Sequence, residues 1–114
     1  MIDCARLVLM QRLVRMLDDY AGLLRARVSH ARVHMIGASP STRKAMEVQF
    51  EADRAVLECV ERALRRPDAL DALFDDLVER GILPTHGDEV DVLLRKYVKT
   101  AGGGKRRAEP EKAA

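Results

Sequence analysis

Residues 7–35 read LVLMQRLVRMLDDYAGLLRARVSHARVHM. An apolar side chain returns here at every three-four step, through Leu7, Met10, Val14, Leu17, Ala21, Leu24, Val28, Ala31 and Met35, and this period predicts one long amphipathic helix. A second row, Leu9, Leu13, Met16, Tyr20 and Leu23, widens the apolar arc of the first half, so that half is expected to touch more than one neighbour. The second row continues as Arg27, His30 and His34, turning polar as it goes. A rod of about 33 residues is about 50 Å long at about 1.5 Å per residue. A compact chain of 114 residues needs less, so the rod is expected to project or to be covered by a partner.

The flanks of that stretch supply the punctuation. Gly37 follows the last apolar step, and Ser39 with Pro40 offers an N-cap and a first-turn proline, which predicts a tight hairpin into a second helix over 40–65. That helix presents Ala45, Met46, Phe50, Val56, Leu57, Val60 and Leu64, with Gln49 and Asp53 interrupting the stripe. Folding the chain about residues 39 and 40 brings Leu57 near Leu23, Val60 near Tyr20, and Asp53 near Arg27. Asp53 and Arg27 therefore read as an ion pair, because an aspartate in an apolar stripe is costly without one; the alternative is a hydrated Asp53 at the edge of the stripe.

Pro67 opens a short helix, DALDALFDDLVER, that is closed by Gly81 and buries Leu70, Leu73, Phe74 and Leu77. Thr85 is positioned to cap a last helix through Asp88, with Val90, Leu93, Leu94 and Tyr97 inward. The string GGGKRRAEPEKAA from Gly102 has almost nothing to bury and reads as a disordered basic tail. The expected architecture is all-α: a long antiparallel helical hairpin plus two short helices in one domain over 1–100, and a tail over 101–114. Two Phe, two Tyr and no Trp make the core aliphatic and thin, so the hairpin must be covered either by the short helices or by a second copy. Leu7, Met10, Val14, Leu17, Leu24 and Val28 are the expected interface of such a homodimer.

The net charge of +2 argues against a general polyanion binder, but the charges are uneven. Residues 1–36 carry six basic and three acidic side chains, whereas residues 67–98 carry three and eight, a pattern that favours docking of the acidic part on the basic part, within the chain or between chains. Cys4 and Cys59 form no paired motif, so a reducing compartment is expected. The run LVLM is broken at once by Gln11 and Arg12, which is neither a membrane span nor a signal-peptide core. A soluble, cytoplasmic protein with no membrane association is the expectation.

The candidate chemistry gathers at the hairpin tip. Arg25, Arg27, His30, Arg32 and His34 crowd the end of the first helix, and Arg43 and Lys44 sit in the first turn of the second. That turn also offers free backbone N–H groups and the hydroxyls of Ser39, Ser41 and Thr42, so the tip reads as a possible anion site for a phosphate, an acidic peptide or nucleic acid; the plain alternative is a solvated helix face. His30 and His34 have the spacing of two metal ligands but no third ligand at any local spacing, so no metal is expected. Residues 72–97 mimic a helix-turn-helix, yet the would-be recognition helix begins Asp88, Glu89, Val90, Asp91 and would be repelled by phosphates.

The run LDDYAGLLRAR, residues 17–27, resembles the first helix of the all-helical chorismate mutases, and on that resemblance Arg27 is the residue to match. The lysine that family carries beyond the arginine is absent from HMIGASPS, and the acid it needs is not well placed in EADRAVLE. No serine has a histidine and an acid at motif spacing, and AGGGK lacks the beginning and the Ser/Thr ending of a phosphate-binding loop. With no catalytic or cofactor signature, the expected role is that of a small non-enzymatic interaction module, a regulator, adaptor or assembly protein without a cofactor, working through protein contacts and self-association. Anion or nucleic-acid binding at the tip is the alternative.

Overall fold

The computed structural model describes residues 4–99. The tail read at 101–114 lies outside them. Every regular element among the described residues is helical: α1 over Cys4–Ile36, α2 over Pro40–Arg65, α3 over Pro67–Arg80, and α4 over 87–99. α1 runs unbroken for 33 residues and packs along α2 as an antiparallel hairpin.

The hairpin turn is made by proline and side-chain caps, not by a glycine. Gly37 follows α1 without a left-handed φ; among the described residues only Gly81 adopts one, at 72°. Pro40 is the cause, because a residue before proline is driven to extended backbone, and Ser39 sits at φ −65° and ψ 159°. Ser39 then caps α2, its hydroxyl accepting from the Thr42 amide. Arg43 reaches back to donate from Nε to the Met35 carbonyl at 3.2 Å, serving a helix end that would otherwise leave its last carbonyls unpaired. α3 ends differently: Gly81 N–H donates to the Val78 carbonyl and Ile82 N–H to that of Leu77, the paired bonds of a Schellman cap. α4 begins one residue later than its sequence suggests. The His86 carbonyl accepts from Val90 N–H, and His86 Nδ1 lies 3.2 Å from the Glu89 carboxylate, so His86 and Glu89 take the capping places expected of Thr85 and Asp88.

The core is one cluster: Leu13, Leu17, Ala21 and Leu24 of α1 meet Val56, Val60 and Ala63 of α2, Leu73, Phe74 and Leu77 of α3, and Val90, Leu93 and Leu94 of α4. Both short helices cover the half of the hairpin near its open end. Ala63 is buried although the sequence did not mark it, while Ala45 is exposed.

The buried row of α1 is Leu13, Leu17, Ala21, Leu24 and Val28, which shifts from the strict three-four seam to the adjacent row at Leu13. A helix has 3.6 residues per turn, so a strict seven-residue repeat drifts by about 20° per repeat unless the helices supercoil, and α3 and α4 receive the row that the drift brings round. This places the residues expected at a dimer interface. Leu17 and Leu24 are fully buried inside the chain and Val28 nearly so, whereas Leu7 and Val14 remain exposed and Met10 is half-buried against the core.

Candidate functional site: the hairpin arm and its polar root

Past Arg27, which still lines a cleft with the start of α4, the hairpin continues alone. Val28 and Phe50 are its last buried apolar side chains; no residue from 29 to 49 is buried. Val33, Ile36 and Val48 are 68, 78 and 70 % exposed, and Met35 and Met46 are only half-covered. α1 therefore extends about 12 Å beyond its last buried residue at about 1.5 Å per residue, as one of two helices with no third.

At the root of this arm lies the charged network. Asp53 is 4 % exposed, the one charged or polar side chain buried among the described residues. Arg27 Nη2 stands 3.6 Å from its Oδ2, Arg95 Nη2 donates to its Oδ1 at 3.0 Å, and Gln49 Nε2 donates to the same oxygen at 3.1 Å. Arg95 also donates from Nε to Asp91 at 3.0 Å. Burial pulls the Arg95 guanidinium pKa down, but the bonds to Asp53 and Asp91 outweigh it and hold the pKa above its ordinary value. Arg95 is thus the strand of the network that the hairpin register alone did not reveal; its only sequence signal is the four-residue spacing from Asp91.

The arginines and histidines of the tip divide by what they touch. Arg25 donates from Nε and Nη2 to the Glu61 carboxylate at 3.2 and 3.0 Å. Arg27 faces Asp53, and Arg43 serves the end of α1. Arg32 lies over the Phe50 ring at 5.6 Å, a cation–π contact. His30 and His34 meet edge to face with ring centroids 4.0 Å apart, and Lys44 is exposed. Three of the seven candidate anion ligands, Arg25, Arg27 and Arg43, therefore have an oxygen partner within the chain. No group of three His, Cys, Asp or Glu placed to hold a metal ion occurs among the described residues.

Two clefts lie between the helices, the first beside the network. One, of about 370 Å³, lies between α1 and the start of α4 and is lined by Met16, Asp19, Tyr20, Leu23, Arg27, Gly87, Asp88 and Asp91. Arg27 thus opens onto the start of α4, and no α2 residue lines this cleft. The other, of about 440 Å³, lies where α2, α3 and α4 meet, between Cys59, Ala69, Ala72, Leu94 and Tyr97. Beside it the Tyr97 hydroxyl donates to Asp76, which also receives Arg80 Nε at 2.8 Å. Tyr97 holds the Asp76 carboxyl below its ordinary pKa, while burial and then that same bond push the Tyr97 phenol well above its own.

The acidic third quarter of the chain meets the basic front within one molecule at Arg6, whose Nη2 donates to Asp75 at 3.0 Å while its guanidinium lies 4.6 Å above the Phe74 ring. No helix among the described residues is long and apolar enough to cross a membrane. No protein-family model, curated protein or solved structure matches this chain.

Proposed function

We propose that this chain is a non-enzymatic helical interaction module, whose hairpin arm is the surface that another protein, foremost a second copy of the chain, covers. The supporting observation is the arm itself: Val33, Ile36 and Val48 stand exposed at its end on two helices that no third element braces. Two helices alone bury too little to be independently stable, and a docking helix supplies the missing side. Leu7 and Val14, exposed on α1 at the opposite end, offer a second contact of the same kind. Anion or nucleic-acid binding at the tip is the alternative; of its seven candidate ligands, His30, Arg32, His34 and Lys44 have no oxygen partner among the described residues, and this reading requires them to act together.

Sedimentation velocity of the chain against a variant carrying Val33→Glu, Ile36→Glu and Val48→Glu tests the proposal. The chain is expected to sediment above its 12.8 kDa monomer mass and the variant at it, with equal helicity. Equal sedimentation of both as monomers over the accessible concentration range counts against self-association through the arm.

A further inference from the structure

The cleft between α1 and α4 has an uneven charge that the fold leaves unbalanced. Its inner charges alternate and cancel: Arg27 faces Asp53, Asp53 binds Arg95, and Arg95 binds Asp91. Asp19 and Asp88 are left over, both exposed, both lining the cleft, and neither in an ion pair among the described residues. The walls between them are apolar. Met16 is half-buried and Leu23 is 55 % exposed. The Tyr20 hydroxyl, buried there, has no hydrogen-bond partner among the described residues. Apolar walls with two unpaired carboxylates suit a long cationic side chain, whose methylenes lie on Leu23 and Met16 while its head reaches an acid. The unused phenol suits a peptide, whose backbone carbonyl accepts the bond.

We propose that this cleft receives the basic triplet Lys105, Arg106 and Arg107 of the same chain. Asp88 and Asp91 lie in the first turns of α4, and Lys99 closes the described helix, about 16 Å from Asp88 and about 12 Å from Asp91 at about 1.5 Å per residue. Six residues, 100–105, span about 20 Å when extended, and three of them are Gly102, Gly103 and Gly104, which reverse a chain without steric cost. The return path runs beside Val92, exposed on the outer face of α4. A tethered triplet of charge +3 thus reaches two unpaired acids at an effective concentration of order millimolar, which free cationic peptides do not match. The inference is independent of the arm and its partner.

The test compares backbone amide shifts of the full chain with those of a variant carrying Lys105→Ala, Arg106→Ala and Arg107→Ala. Shifts confined to residues 19–23 and 87–92 are expected, independent of protein concentration, and reproduced in the unaltered chain near 1 M salt, where screening falls to about 3 Å. Asp88→Lys in the full chain is expected to give the same change, and adding the tail substitutions to it nothing further. Differences limited to residues next to the substitutions overturn the proposal. A cleft response that grows with protein concentration overturns it too, since the occupant is then the tail of a second copy.

Discussion

Arg95 and Asp53, 42 residues apart in sequence, join α4 to the hairpin through a 3.0 Å bond, and Asp53 is the sole buried charge among the described residues. The bond fixes where α4 crosses the hairpin root, and the partners of Asp53 are unequal. Arg95 is closer and less exposed than Arg27, which stands 3.6 Å away with 46 % of its side chain exposed.

The first prediction follows from that inequality. Arg95→Met is expected to cost about 2–3 kcal/mol, because it leaves a buried carboxylate with a weaker set of partners. Arg27→Met is expected to cost under about 1 kcal/mol, as exposed pairs do. Urea denaturation at neutral pH checks both, and equal costs would show that the register of α4 does not depend on the bond.

How far the sequence revealed this depends on the range of the interaction. The hairpin was legible, since Ser39 and Pro40 act through their own backbone and the period of α1 is local. The Arg27–Asp53 approach was legible because a hairpin turn converts into register. Arg95 and Tyr97 were not, because Asp53 lies on α2, two turns before α4, and Asp76 on α3, one turn before it, and nothing in a 3.6-residue period encodes the angle at which α4 crosses. Leu13, in the second row that was expected to meet a further neighbour, is in the core while Val14 of the strict seam is exposed, since a strict repeat assumes a supercoil that short covering helices do not impose. His86 displaced Thr85 as the cap of α4 because the preceding turn, with Gly87 N–H donating to the Thr85 carbonyl, delays the helix by one residue.

Tyr97 and Asp76 make stability depend on pH at both ends. The Asp76 carboxyl titrates lower folded than unfolded, so its contribution is present above the ordinary value near 4 and is lost as pH falls through the folded pKa. The Tyr97 phenol titrates higher folded, so its contribution is present below about 10 and fades as pH rises past that value. Tyr97→Phe is therefore expected to destabilise at pH 7 and to lose less at either extreme. Thermal melts across pH read this directly, and a difference that does not change with pH contradicts it.

The two thiols should be distinguishable. Cys4 is exposed and Cys59 half-buried, and burial pushes the Cys59 pKa up, which lowers its reactive thiolate fraction. Alkylation at pH 8 followed by mass spectrometry is expected to label Cys4 faster than Cys59, because Cys4 is exposed and the Cys59 thiol is both half-covered and held protonated. Equal rates would place Cys59 at an open surface.

Leu17 and Val14 separate core from exposed seam. Leu17→Ala is expected to cost about 3–5 kcal/mol in a fully enclosed site, and Val14→Ala under about 1 kcal/mol at the surface. Urea titration of each at two protein concentrations would also show whether either loss depends on association, and a concentration-dependent loss at Leu17 alone would mean that its burial comes from a second chain.

The central claim is that α1 is one rod, enclosed by its own chain through Leu24 and without a buried side chain beyond Val28, the part that we propose a partner covers. Hydrogen exchange along that rod, measured at low and high protein concentration, tests it most directly. The account predicts fast exchange at residues 31–35 and 46–48 in dilute solution, slow exchange at residues 17–24, and slowing of the arm alone as the chain self-associates. Uniform protection from residue 13 to residue 35 in dilute solution, unchanged by concentration, would contradict it.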